Sequence, residues 1–337
     1  MSDETPKTSS SCDHSHKQIN LALQGGGAHG AYTWGVLDRL LEDDFMSYDT
    51  LSGTSAGAVN AVAFAQGYME DGAAGAGAKL EEVWKAISKA GDFLSIPQTP
   101  MELMSKAMSG FFAPFDHNPL DYDPLRDILK KHINFEDLRK HSPVSLYVAA
   151  TQVSNGKARL FETQELTIEM VLASSCLPFL SKSVLINGDP FWDGGFSANP
   201  AVRPLVLDSN TDDTLLIQIS PVDDFMQMPS HIAGMRTHLN HLSFSESLRH
   251  EIEVIEEERE QAGTSPAACR LRNHHFHLID GSPVTSRLNP GSEMTPDWKM
   301  LSELFIKGRE ACEVFLEQDR EKIAQHSSID LKEHFGL

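Results

Sequence analysis

Between Gln18 and Gln66 the chain passes twice through the same order of a short apolar strand, a glycine-rich turn and a helix. Ile19, Leu21 and Leu23 open the first strand, which runs into Gly25-Gly26-Gly27. A helix is expected from about Ala31 to Leu41, with Val36, Leu37, Leu40 and Leu41 on its apolar face. Tyr48 to Ser52 reads as the second strand, ended by Gly53. Ala56 to Gln66 is apolar nearly all round and built from small residues, which suits a helix buried on every side. Two such units in fewer than 50 residues point to an α/β protein with a parallel sheet. Val144 to Thr151 and Thr214 to Ile219 are nearly continuous apolar runs that fit central strands. Between them Thr167 to Ser175 is expected to be helical, ended by Pro178, and Gly72 to Gly77 is expected to form a flexible loop before a helix from Leu80 to Ala90.

Residues outside this pattern divide the chain. Residues 1–17 contain almost nothing apolar and read as a disordered tail in which Cys12, His14 and His16 are incidental. Pro97 to Pro124 carries Met101, Met104 and Met108 at helical spacing, then Phe111, Phe112 and Phe115 around Pro114. His231 to Gln261 reads as one long helix or two in sequence, with Glu256, Glu257 and Glu258 on a solvated face. The expected division is a tail (1–17), an α/β domain (18–220) and a helical C-terminal region (221–337) packed on that domain or continuous with it. That last region leaves three roles open: covering the sheet, completing a groove, or making a homo-oligomer surface.

Composition restricts the partners. Of 337 residues, 28 are Lys or Arg and 48 are Asp or Glu, a formal charge of −20. Nucleic acid requires clustered Lys and Arg, so it is excluded as a partner. Purely electrostatic docking on anionic lipid is disfavoured too, and any membrane contact should come from apolar side chains. Four scattered cysteines show no CxxC pair and no metal spacing, as expected of reduced thiols. The first 17 residues lack a signal-peptide apolar core and no stretch has the length of a transmembrane helix, so the expected location is cytoplasmic, at most peripheral at a membrane. No motif calls for a cofactor.

The chemistry sits in the turns. Gly53-Thr54-Ser55-Ala56-Gly57 is a G-x-S-x-G between a strand and a helix. A serine on such a sharp turn is strained with its Oγ exposed, while Gly53 and Gly57 let neighbouring backbone pass closely. The helix behind it adds positive potential where an oxyanion would form. Gly25-Gly26-Gly27-Ala28-His29-Gly30 lacks a GK[ST] ending and a dinucleotide pattern, so a phosphate loop fits poorly. Three glycines in a row can instead turn consecutive N–H groups toward one point. Asp193-Gly194-Gly195, followed by Asn199-Pro200, would by itself be an ordinary turn.

Taken in this order, the three elements resemble the patatin-like phospholipase family, whose pattern is G-G-G-x-[KR]-G, then G-x-S-x-G, then D-G-[GA] with a trailing Asn-Pro. Ala173-Ser174-Ser175-Cys176-Leu177-Pro178 is similar to that family's A-S-x-A-x-P segment, and the likeness spans about residues 18 to 220. The resemblance implies a three-layer α/β/α fold with a mainly parallel sheet. It also implies a Ser–Asp pair without a histidine: Ser55 as nucleophile, Asp193 as base, and an oxyanion hole in the segment Gly25, Gly26, Gly27, Ala28 and Gly30, with Gly194 and Gly195 supporting the aspartate. Phe191 and Trp192 offer apolar surroundings that would raise the Asp193 pKa. His29 departs from the family pattern, which has Arg or Lys there. It is expected to be a weaker electrostatic substitute or a structural residue.

With 15 histidines, a Ser–His–Asp triad using His231, His238, His241, His250 or the His274-His275-His277 cluster competes with the pair. The alternation from His275 to Leu278 reads more simply as a half-exposed strand. An acyl hydrolase also needs an apolar groove. Met104, Met108, Phe111, Phe112 and Phe115 fit a groove wall or lid, and fit plain core packing equally well. The expected function is hydrolysis of fatty-acyl esters of phospholipids or related lipids through an acyl-enzyme. A polyester or storage-lipid depolymerase with the same residues is the second reading, and a non-catalytic lipid-binding protein the third.

Overall fold

The computed structural model describes residues 17–95, 123–178, 181–222, 232–261, 263–289 and 291–337. Its strands are β1 (Lys17–Leu23), β2 (Met46–Thr54), β3 (Ser145–Gln152), β4 (Ala158–Glu162), β5 (Val184–Ile186), β6 (Asp189–Asp193), β7 (Asp213–Gln218) and β8 (His275–Asp280). They form one sheet in the order β5-β6-β3-β2-β1-β7-β8, with β4 paired to β3. The run from β3 through β8 is parallel, whereas β4 and β6 run antiparallel to β3 and β5 antiparallel to β6. The helices used below are α1 (Gly30–Leu40), α2 (Ala56–Ser95), α3 (Ile168–Ser174), α4 (Ile232–Gln261), α5 (Pro266–Asn273) and α6 (Trp298–Gln318).

Alternation along the strands makes two cores. Ile19, Leu21, Leu23, Leu215 and Ile217 point to one face, where they join residues of α1, α2 and α6. Ala22, Leu216 and Phe276 point to the other, against Leu248, Ile252 and Ile255 of α4 and Leu271 of α5. Central strands buried on both faces read as continuous apolar runs for this reason. The result is an α/β/α fold with a mainly parallel sheet.

Two local expectations are corrected. The Gly72–Gly77 run is not a loop. Only Asp71 and Gly72 leave helical geometry, Gly72 with φ +56°, and the helix then resumes. A Cβ on Gly67 would collide with the Gly75 carbonyl, so these glycines let the two arms of α2 touch backbone to backbone. Strand β8 is not half-exposed either, because Phe276 and His277 are both buried, one on each face. His277 accommodates burial through hydrogen bonds: Nε2 meets Asp213 Oδ1 at 3.0 Å and Nδ1 meets Ser328 Oγ at 3.2 Å.

The chain beyond residue 221 contributes β8 to the sheet and lays α6 across α1. A Cβ on Gly35 would fall on the Phe305 carbonyl, and one on Gly308 on the Tyr32 carbonyl. The two helices therefore cross at glycine on each side, with Trp34 packed on Phe305 at a ring-centroid distance of 4.2 Å.

Asp213 fastens the last segment to the same sheet, since its Oδ1 also accepts the Ala324 N–H at 2.9 Å. Burial pushes its carboxyl up, but the His277 ring and the Ala324 N–H outweigh that and hold it below the ordinary value. A depressed carboxylate contributes stability that is present above its unfolded pKa and lost as pH falls through the folded one. Asp213→Ala should therefore cost about 2–4 kcal/mol in urea unfolding at pH 7, since it strands two donors. The gap to wild type should narrow below about pH 4, the ordinary aspartate value. A gap independent of pH would rule out the carboxylate as the source.

Candidate active site

The edge of β3 brings the central residues together. Strand β4 pairs with Tyr147–Thr151 and so occupies one edge of β3. Both β2, on Ser145–Ala149, and β6, on Ala150–Gln152, must therefore use the other edge. Thr54 stands opposite Ala149 and Asp193 opposite the next residue, Ala150. Ser55 thus leaves the sheet where Asp193 enters it.

Ser55 has φ +55°, a left-handed conformation that costs a non-glycine residue about 1–2 kcal/mol. The turn leaves no room for relaxation. A Cβ on Gly53 would strike the Gly57 carbonyl, and one on Gly57 the Leu23 carbonyl. The Ser55 N–H is held by Ser174 Oγ at 2.9 Å from the end of α3, and α2 starts at the following residue. First-turn amides of that helix place positive potential at the serine.

Asp193 is fully buried. Its Oδ1 accepts the Gly195 N–H at 2.8 Å, while its Oδ2 has no hydrogen-bond partner among the described residues. The Ser55 hydroxyl approaches the carboxyl closely enough to favour its ionised form, without completing a well-formed hydrogen bond. Burial dominates and pushes the carboxyl up to about 7, against the pull of the Gly195 N–H and the Ser55 hydroxyl. The backbone is fixed by Asp193 N–H to the Cys176 carbonyl at 2.8 Å and by Thr151 Oγ1 to the Asp193 carbonyl at 2.7 Å. Gly194 lies so close to Ala149 and Thr54, and Gly195 so close to the Phe244 ring, that neither position has room for a Cβ.

The Gly25 loop lies directly against the serine. A Cβ on Gly25 would come within 2.8 Å of Ser55 Cβ and 2.6 Å of the Thr54 carbonyl. Its N–H donates to Asn199 Oδ1 at 2.7 Å, and the Gly30 N–H returns to the Gly27 and Ala28 carbonyls. Gly25 and Gly30 therefore shape the loop without offering a donor. The N–H groups of Gly26, Gly27 and Ala28 reach no acceptor among the described residues. Gly27 takes φ +58°, and a Cβ there would strike the Glu293 carbonyl.

Two bracing residues went unassigned in the sequence although their motifs were visible. Ser174 belongs to the Ala173–Pro178 segment, and Asn199 to the Asn-Pro pair. Their motifs marked the segments, but a hydrogen bond across 174 positions has no local signature.

His29 turns away from an electrostatic role. It is buried, its Nε2 lies 2.8 Å from Ser292 Oγ, and burial pulls the ring pKa down to about 4, with His241 adding to the shift and Glu293 opposing it. The ring is therefore neutral at pH 7 and behaves as a structural residue. Among the described residues no histidine hydrogen-bonds to Ser55 or Asp193. His274 bonds Thr214 Oγ1 and His277 bonds Asp213, at the opposite end of the sheet, while His250 faces Glu253. His231 and the groove candidates Met104, Met108, Phe111, Phe112 and Phe115 lie outside the described residues. Among the described residues no cluster of His, Cys, Asp or Glu could hold a metal ion, and no helix is long and apolar enough to cross a membrane.

The family described as patatin-like phospholipase matches residues 21–206, more than half of the sequence, and the chain belongs to that family. Solved structures of similar shape include VipD from Legionella pneumophila, with 13% identity and a TM-score of 0.41 over 95% of this chain and 73% of that one. The type III effector protein ExoU matches with 17% identity and a TM-score of 0.35, over 90% of this chain and 53% of its own, so this chain spans about half the length of ExoU. No curated protein matches the sequence.

Proposed function

We propose that this chain is a serine acyl-ester hydrolase acting on fatty-acyl esters of phospholipids or related lipids, with Ser55 as nucleophile and Asp193 as its base. The observation that carries this reading is the unpartnered Asp193 Oδ2, buried beside a serine held at φ +55°. A buried polar atom without a partner is costly, and a strained serine beside it has no structural use. Attack of Ser55 Oγ on the ester carbonyl passes the hydroxyl proton to Asp193. The oxyanion of the tetrahedral intermediate is received by the Gly26, Gly27 and Ala28 N–H groups, with Ala56 at the start of α2. Collapse expels the alcohol, which takes the proton from Asp193. Water then attacks the acyl-enzyme, giving a proton to the same carboxylate, and as the Ser55 Oγ–acyl bond breaks Asp193 returns that proton to Oγ and the fatty acid leaves.

Membership of the family supports a lipid substrate. The protein would meet it from the cytosol by peripheral contact, residues 18–220 supplying the chemistry and residues 221–337 its surroundings. A fluorophosphonate probe should label the wild type at Ser55 and lose all labelling in Ser55→Ala. Absence of labelling in folded wild type would favour the lipid-binding alternative.

A further inference from the structure

Helix α4 has two unlike halves. Its inner face buries Phe244, Leu248, Ile252 and Ile255. Its outer face begins with Met235, Leu239 and Leu242, exposed by 46%, 57% and 41%. Spaced four and three apart, they stack on one side of the helix. Further along, the same side carries Glu246, Arg249, Glu253 and Glu257, as a solvated helix should. The apolar half also holds no acid: residues 232–245 contain neither Asp nor Glu in a chain of net charge −20.

This half of α4 borders the active site. Phe244 fills the space above Gly195, two residues from Asp193. His241 Nε2 lies 3.5 Å from Glu293 Oε1, and the Glu293 carbonyl stands against Gly27 of the proposed oxyanion loop. Beside Glu293, Met294 is 48% exposed and Trp298 39%. Met235, Leu239, Leu242 and Met294, and the outer part of Trp298, whose ring packs on Trp34, are thus exposed on the two elements that pack against the Gly27 and Gly195 turns, and the acidic character of the remaining surface is absent from that half of the helix.

We infer that the first half of α4, with Met294 and Trp298, docks the protein on the lipid–water interface of a phospholipid bilayer. Exposed apolar side chains beside a candidate active site mark a contact surface, and insertion of Met, Leu and Trp needs no basic patch. The missing acid removes local repulsion from lipid phosphates. The purpose of this surface rests on the hydrolase reading, but its existence is testable separately.

The test uses the Ser55→Ala protein, so that no lipid is consumed, sedimented with phosphatidylcholine vesicles with and without phosphatidylserine. Leu239→Glu and Met235→Glu should each weaken partitioning by about tenfold or more, because they remove an apolar side chain from the interface and add a charge. Val314→Glu, exposed on α6 away from this surface, should leave it unchanged. With Ser55 restored, the two α4 variants should hydrolyse a short soluble ester at close to the wild-type rate. Unchanged vesicle partitioning in Leu239→Glu would overturn the proposal. So would a wild-type dimer in sedimentation velocity that Leu239→Glu dissociates, since the face would then belong to a second copy. Vesicle binding that persists in a wild type unable to cleave soluble ester would instead defeat the hydrolase reading and leave the docking surface standing.

Discussion

Asp193→Asn should abolish turnover and, in the same protein, raise the stability of the fold at pH 8. The carboxyl is fully buried, has one unpartnered oxygen, and is pushed up to about 7. A group whose folded pKa is raised contributes stability that is complete below the unfolded value and lost as pH rises through the folded one. Wild type therefore carries a buried, poorly compensated charge at pH 8, which asparagine does not. The amide oxygen can still accept the Gly195 N–H, so the turn is preserved. The gain should be on the order of 2–4 kcal/mol at pH 8 and should shrink toward pH 4, given about 1.4 kcal/mol per pKa unit. Over the same range kcat for a short soluble ester should fall by about a thousandfold or more, the scale of a lost general base. In wild type, kcat/KM should drop tenfold per unit below about pH 7, well above the limb of an ordinary carboxylate near 4. Urea unfolding at two pH values together with steady-state rates reads all of this. An asparagine variant less stable than wild type at pH 8 would refute the assignment of that burial penalty.

The second large effect lies far from the chemistry. Gly308→Ala should destabilise the protein by about 2–4 kcal/mol, because its new methyl would land on the Tyr32 carbonyl of α1, which cannot retreat without moving the helix. The crossing is reciprocal, with Gly35 against the Phe305 carbonyl, so no single side chain can yield. Gly263→Ala is the matched control. That glycine faces open space, and its replacement should change stability by no more than about 0.5 kcal/mol. Equal unfolding midpoints for the two variants would show that α1 and α6 adapt. A displaced α6 should also disturb the Ser292–Met294 turn against Gly27, so activity should fall along with stability.

What could be read from the sequence divides along physical lines. Strand, glycine turn and helix around Gly25 and Gly53 were legible because their signals are local: period, glycine position and strand length. The positive φ of Ser55 follows from the same kind of signal. The Gly72–Gly77 run misled because glycine reports conformational freedom and close contact equally well. Only the approach of Gly67 to Gly75 tells them apart. The burial of His277 was hidden because it depends on Asp213, 64 positions away. Strands β4, β5 and β6 were missed because short antiparallel segments acquire their meaning from register, which no five-residue stretch contains. Without β6 the sequence could name Asp193 but could not say why it should stand beside Ser55.

That shared edge of β3 separates two kinds of evolutionary freedom. The serine and the aspartate stand beside each other on adjacent rungs of one ladder, so their spacing is as rigid as the sheet and cannot be retuned without disturbing the core packed around it. On the proposed hydrolase reading, selectivity would be written in the parts that hang on this frame: the outer face of α4, the turn before α6 and the segments between the strands.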